Sequence, residues 1–156
     1  MFLYRITNKK YATDLSGAGA KQYGGRWNSV GKAVIYASTS VSLATLEFLC
    51  HTAGTLIPKN FVIIKLESPD SITAAEIKAT TLPSDWRQYP APIQLQIIGN
   101  KWLDKSERLL LKVPSVIIPM ENNILINPFQ KDISKIKIVE ISDFTIDDRI
   151  IENVKK

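Results

Sequence analysis

Residues 23–49 read YGGRWNSVGKAVIYASTSVSLATLEFL, and the reading of this stretch decides most of the rest. Gly24 and Gly25 leave two positions without Cβ in a turn that then presents Arg26 and Trp27. The run Ala33 to Ala37 predicts a strand with Val34 and Tyr36 on one face. Thr39 or Ser40 suits the N-cap of a helix that reaches about His51. Apolar Val41, Leu43, Ala44, Leu46, Phe48, Leu49 and Cys50 surround most of that helix, which predicts burial on most sides. Its one acid, Glu47, falls on the remaining strip with Ser40 and His51. A carboxylate there loses hydration that a cation or a hydrogen-bond donor has to replace. Either Glu47 forms a plain surface pair with His51, worth a few tenths of a kcal/mol, or it joins Arg26 in a site.

Working outward, Phe2 to Ile6 suits a first strand, with Arg5 pointing opposite to Tyr4 and Ile6. Residues 7–25, with Gly17, Gly19, Gly24 and Gly25, read as a long loop, a length that usually accompanies function. Asn60 to Glu67 is a strand closed by Ser68-Pro69-Asp70. Leu82 to Trp86 reads as a turn, and Ile93 to Leu103 as a helix with Ile93, Ile97 and residues 101–103 on its apolar side. Leu109 to Val113 and Val116 to Pro119 read as one strand interrupted at Pro114-Ser115. Ile124 to Asn127 and Ile136 to Ile141 are further strands, and a short helical tail is expected from Asp147. Strands and helices intermix without regular βαβ alternation. That predicts an α+β fold with a mainly antiparallel sheet.

At 156 residues the expectation is one domain over 1–156 with a core of its own. A single cysteine excludes an intrachain disulfide, and one histidine leaves no metal-ligand cluster. No apolar run approaches the roughly 18 residues that span a bilayer, and MFLYRITNKK lacks the layout of a signal peptide. A cytoplasmic, metal-free protein is expected, with no membrane partner. The net charge of +5 suits nucleic acid, an anionic substrate or an acidic protein partner. The lysines are scattered and no aromatics interleave with them, so direct nucleic-acid binding is not expected.

Arg26 follows a glycine pair that lets a ligand approach closely, and its planar fork matches phosphate or carboxylate. Trp27 and Tyr36 each offer a face for a flat ring, and a nucleotide would use both features. The plainer alternative pairs Arg26 with Glu47 and places Trp27 in the core. The spacing is neither a Walker A loop nor the dinucleotide glycine fingerprint. Ser115 alone is more often a satisfied hydroxyl than a nucleophile, and a single histidine four residues from Glu47 argues against a Ser-His-Asp hydrolase.

The order Tyr4-Arg5, GGRWN (24–28), VIYAS (34–38), ATLEF (44–48), SDW (84–86), IGNKWL (98–103), VPSVIIPMENNILINP (113–128) and DDR (147–149) resembles the RES-domain family across nearly the whole chain. The family is named for an Arg, a Glu and a Ser, which map to Arg26, Glu47 and Ser115; Arg5 and Tyr36 match further pocket positions. The resemblance implies an ADP-ribosyltransferase-like fold with split β-sheets and a few packed helices. It implies a toxin of a bacterial toxin–antitoxin pair, restrained by an Xre-type helix-turn-helix antitoxin. NAD would be its substrate, broken down by water or by phosphate, or used to ADP-ribosylate a protein. On that reading Glu47 stabilises the cation that forms on the ribose. Arg5 and Arg26 grip the pyrophosphate, Trp27 and Tyr36 meet the rings, and Ser115 donates to the ribose or places the acceptor, with Asn127 assisting. Nicotinamide leaves as a neutral ring, so neither a metal nor a catalytic histidine is required. A non-catalytic basic RNA-binding module is the reading from another class.

Overall fold

A computed structural model describes residues 1–52, 59–147 and 149–150. The helical tail expected from Asp147 lies largely outside them. The strands are β1 (Phe2–Asn8), β2 (Ile35–Ser38), β3 (Phe61–Glu67), β4 (Ala75–Glu76), β5 (Leu110–Pro114), β6 (Asn122–Ile126) and β7 (Lys137–Asp143). They join in one sheet in the order β4-β5-β6-β2-β1-β3-β7, antiparallel everywhere except between β4 and β5. The expected α+β, mainly antiparallel architecture is therefore present.

The sheet is nearly two. β1 runs in register with β3 from Phe2↔Glu67 to Asn8↔Phe61, and β2 with β6 from Ile35↔Ile126 to Ser38↔Asn123. Between these halves, β1 and β2 share only Tyr4↔Ser38. Beyond that point the two strands part, and the split leaves room at the centre of the fold.

Strand alternation sends side chains to two cores. Leu3, Ile35, Ala37, Val62, Ile64, Leu66, Ile124 and Ile126 pack on one side, while Val34, Leu111, Val113 and Leu125 pack on the other with Trp27, Trp86 and Leu95. The helices are α1 (Ala18–Tyr23), α2 (Val41–His51) and α3 (Ile93–Lys105).

Several expectations are corrected. The stretch 7–25 is not all loop: it holds a 3-10 turn at Lys9–Tyr11 and the helix α1. Gly17 opens α1 at φ 69°, packed so tightly on the residue before β2 that a Cβ would sit 2.8 Å from the Val34 amide nitrogen. Residues 116–119 form a turn and not a strand. Helix α2 begins as expected, with the Ser40 hydroxyl accepting from the Leu43 amide, but only Leu43 and Ala44 are buried on it; Val41, Leu46 and Cys50 are exposed. On α3 the expected apolar side holds at Leu103 but not in the first two turns. Ile93 and Ile97 are each 59% exposed, and the buried row is Leu95, Gly99 and Leu103. A glycine at the centre of that row conceals it from hydropathy, because the contact it makes is with backbone.

Candidate active site

The turn that carries Arg26 is clamped from three directions. Asn28, fully buried, donates to the carbonyls of Ala20 and Lys32, both at 2.8 Å, and its backbone carbonyl accepts from the Gly25 amide. Gln96 of α3 donates to the Gly25 carbonyl at 2.9 Å, and Asn100 exchanges hydrogen bonds with Ser29. Between Gln96 and Asn100 lies Gly99, so one face of α3 receives the turn. Tyr36 completes the clamp: its hydroxyl donates to the Asn28 side-chain oxygen at 2.8 Å and accepts from the Trp27 amide at 3.1 Å. Burial pushes the Tyr36 phenol well above its ordinary value, so it remains a donor at any working pH.

Held this way, Arg26 donates to the carbonyls of Trp86 (2.7 Å) and Gln88 (3.2 Å). Partial burial lowers its pKa, while the neighbouring Glu47 and Tyr36 raise it. The guanidinium stays cationic at neutral pH in any protein setting. The expected direct Arg26–Glu47 pair does not form among the described residues; Arg26 is tied to backbone and feels Glu47 only through space.

Glu47 finds its donors elsewhere. Its Oε1 accepts from the Ser115 hydroxyl at 2.9 Å and from the Asn123 side-chain amide at 2.5 Å. Ser115 is fully buried, and its oxygen accepts from the Ile117 and Ile118 amides, each at 3.1 Å. The one proton of the Ser115 hydroxyl is thus committed to Glu47, and the bond holds the carboxylate. Asn123 in turn accepts from Ser38 at 2.7 Å across the β2–β6 register.

Where the strands part, a cavity of about 180 Å³ opens, lined by Arg5, Asp14, Gly17, Val34 and Tyr36 among others. Arg5 donates to the Asp14 carbonyl at 2.8 Å, and its pKa is lowered by burial against a weaker opposing pull from Asp14. Glu47 and Arg26 do not line this cavity. Tyr36 is the common wall, facing the cavity on one side and feeling Arg26 on the other. Arg26, Tyr36, Glu47 and Ser115 thus gather on the parted sheet, and Arg5 reaches it from the β1 side.

Two expected ligand contacts are corrected. Trp27 is 3% exposed and packs among Trp86, Leu95 and Leu103, so it offers no face to a ring. Asn127 is 2% exposed; it donates to the Leu103 carbonyl and the Ser106 hydroxyl and accepts from the Phe129 amide, closing the C-terminal end of α3. Replacing Asn127 by alanine leaves the buried Leu103 carbonyl and two part-buried groups without this partner and is expected to cost about 1–3 kcal/mol. Denaturant melting checks this, with ligand affinity unchanged in the variant that folds. The residues missed by sequence reading are Asn28 and Asn123, each inside a polar cluster that reads as turn chemistry. Among the described residues no group of three or more His, Cys, Asp or Glu is placed to hold a metal, and no helix is long and apolar enough to cross a membrane.

The family model described as RES domain matches residues 2–147. The chain belongs to the RES domain family. Full-length relatives of this RES chain agree with that placement. It is 42% identical over 159 residues to "Toxin Res" of Photorhabdus laumondii, covering 99% of this chain and all of the relative. It is likewise 42% identical over 142 residues to "Prs ADP-ribosylating toxin" of a Sphingobium species, covering 90% and 88%. The crystal structure of the M. tuberculosis MbcT-MbcA toxin-antitoxin complex contains a chain of the same fold, with TM-score 0.77 at 16% identity, covering 99% of this chain and 88% of that one.

Proposed function

We propose that this RES protein is the toxin of a bacterial toxin–antitoxin pair and consumes NAD in the cytoplasm by cleaving the nicotinamide–ribose bond. The observation that carries the reading is the held carboxylate. Glu47 is fixed on a helix, loaded by two donors on Oε1, with Oε2 bearing neither, and the Arg26 cation lies within electrostatic reach. Loss of nicotinamide leaves positive charge on the ribose, and a preplaced carboxylate stabilises it as it forms. Water then adds at the ribose carbon, and the balance is NAD⁺ and water to ADP-ribose, nicotinamide and a proton. With phosphate as acceptor the product is the 1-phosphate of ADP-ribose.

Arg26 and Arg5 supply cations for the pyrophosphate, and the ring of Tyr36 meets the ribose end. Ligand pockets usually run to about 300–1,000 Å³, so the cavity of about 180 Å³ suits one portion of a dinucleotide and the open split the remainder. An Xre-type helix-turn-helix antitoxin would cover this split, a reading supported by the toxin–antitoxin complex found for the structural neighbour. Transfer of ADP-ribose to a protein is the second reading, favoured by the name of the Sphingobium relative.

Incubating the free protein with NAD, with and without phosphate, and resolving the products by mass spectrometry tests the proposal. Nicotinamide release is the expected result, and the sugar product names the acceptor. NAD that survives in both tubes, and leaves no label on protein in a cell lysate, contradicts it.

A further inference from the structure

We infer that Asn123 is a positioning residue for Glu47, and that Ser38, Asn123 and Ser115 form a fixed cradle that selects which carboxylate oxygen faces the substrate. The inference rests on the NAD-cleaving reading of the same site and concerns how the carboxylate is aimed.

The cradle has a defined polarity. Ser38 is 4% exposed and donates to the Asn123 side-chain oxygen at 2.7 Å. That bond sets the amide so that its nitrogen, a donor only, points at Glu47 Oε1 at 2.5 Å. Ser115 donates to the same oxygen, while two backbone N–H groups on its own oxygen strengthen it as a donor. Donors that converge on Oε1 from β6 and from the turn after β5 leave the carboxylate little freedom to rotate. Oε2 is then presented at a set angle. The strands that supply Ser38 and Asn123 are in register with each other, so the cradle is built into the sheet beside the seam where β1 and β2 part.

The role differs from general support of the fold. A carboxylate aimed at charge that exists only in the transition state changes kcat and leaves substrate binding nearly untouched. The test uses Asn123→Asp, which keeps the size and the acceptor for Ser38 but turns the donor facing Glu47 into an acceptor. Its kcat for nicotinamide release is expected to fall about 10²-fold with KM for NAD unchanged. Ser38→Ala, which only unpins the amide, is expected to lower kcat about 2–10-fold, the scale of one neutral hydrogen bond. It remains informative if Asn123→Asp fails to fold.

Crystal structures of the free wild type and both variants give a readout independent of turnover. One Glu47 conformer in the wild type, and a displaced or multiple one in Asn123→Asp, supports the cradle. An unmoved Glu47, or a kcat equal to wild type, or a loss confined to KM, overturns it. If the wild type releases no nicotinamide, the reading of the reaction has failed, and the Glu47 conformers still decide the positioning role.

Discussion

Replacing Glu47 by glutamine is expected to lower NAD turnover by about 10²–10³-fold and to leave the fold and NAD binding intact. The amide keeps the length of the side chain and an oxygen that accepts from Ser115 and Asn123, so the two contacts that hold residue 47 survive. What it loses is the negative charge opposite the developing cation on the ribose. On the proposed reading, ground-state binding rests on cations that the substitution does not touch: Arg26 is anchored on the Trp86 and Gln88 carbonyls, and Arg5 on that of Asp14. Initial rates of nicotinamide release, with NAD affinity measured by calorimetry, separate the two quantities. Wild-type turnover in this variant would remove Glu47 from the chemistry.

Gly99→Ala is expected to be the most damaging single methyl among the described glycines. A Cβ built at Gly99 would lie 1.8 Å from the Trp27 carbonyl oxygen and 2.8 Å from its carbon. Neither atom can rotate away, because both are backbone in the turn that Gln96, Asn100 and Tyr36 hold in place. Either α3 or the turn must therefore move. Overpacking of a core costs about 1–3 kcal/mol and sometimes more. A loss near about 3 kcal/mol in a chain of this size lowers the melting temperature by roughly 6–12 °C. Since the displaced turn carries Arg26, NAD binding should weaken as well. An alanine variant with an unchanged melting temperature would show that the contact between α3 and the turn is looser than described. Gly19, where a Cβ meets nothing within 4 Å, is the matched control.

The strand-to-helix stretch through residues 35–51 was legible because its signals are local and agree: an apolar strand, a serine cap and an apolar helix. The glycine pair, Arg26, Glu47 and Ser115 could be singled out for the same reason, each being a polar or conformational anomaly in its surroundings. Legibility failed where a residue's meaning depends on distant backbone. Trp27 beside Arg26 looks equally suited to a ligand or to the core, and Gly99 against its carbonyl settles that in favour of the core.

The misplaced first half of the apolar face of α3 has the same origin. Ile93 and Ile97 outscore Leu95, Gly99 and Leu103 by hydropathy, while the true contact surface needs a missing side chain. Helix α1, spelled AGAKQY, has no apolar stripe; it is held by the Asn28 bond to Ala20 and the Gly31 amide bond to Lys21. Asn123 precedes an apolar run and resembles the end of a turn. Its role appears only when β6 is set in register beside Ser38. Asn127 shares that motif, yet lies four residues further on, at the end of α3.

In the proposed complex NAD sits across the parted strands with its nicotinamide ribose at Glu47. A crystal structure of the Glu47→Gln protein with NAD bound tests it most directly. The account predicts the ribose carbon that bears nicotinamide beside residue 47, the pyrophosphate on Arg26 and Arg5, and Tyr36 against the ribose end. NAD bound away from the β1–β2 split, or no NAD bound at saturating concentration, would contradict it.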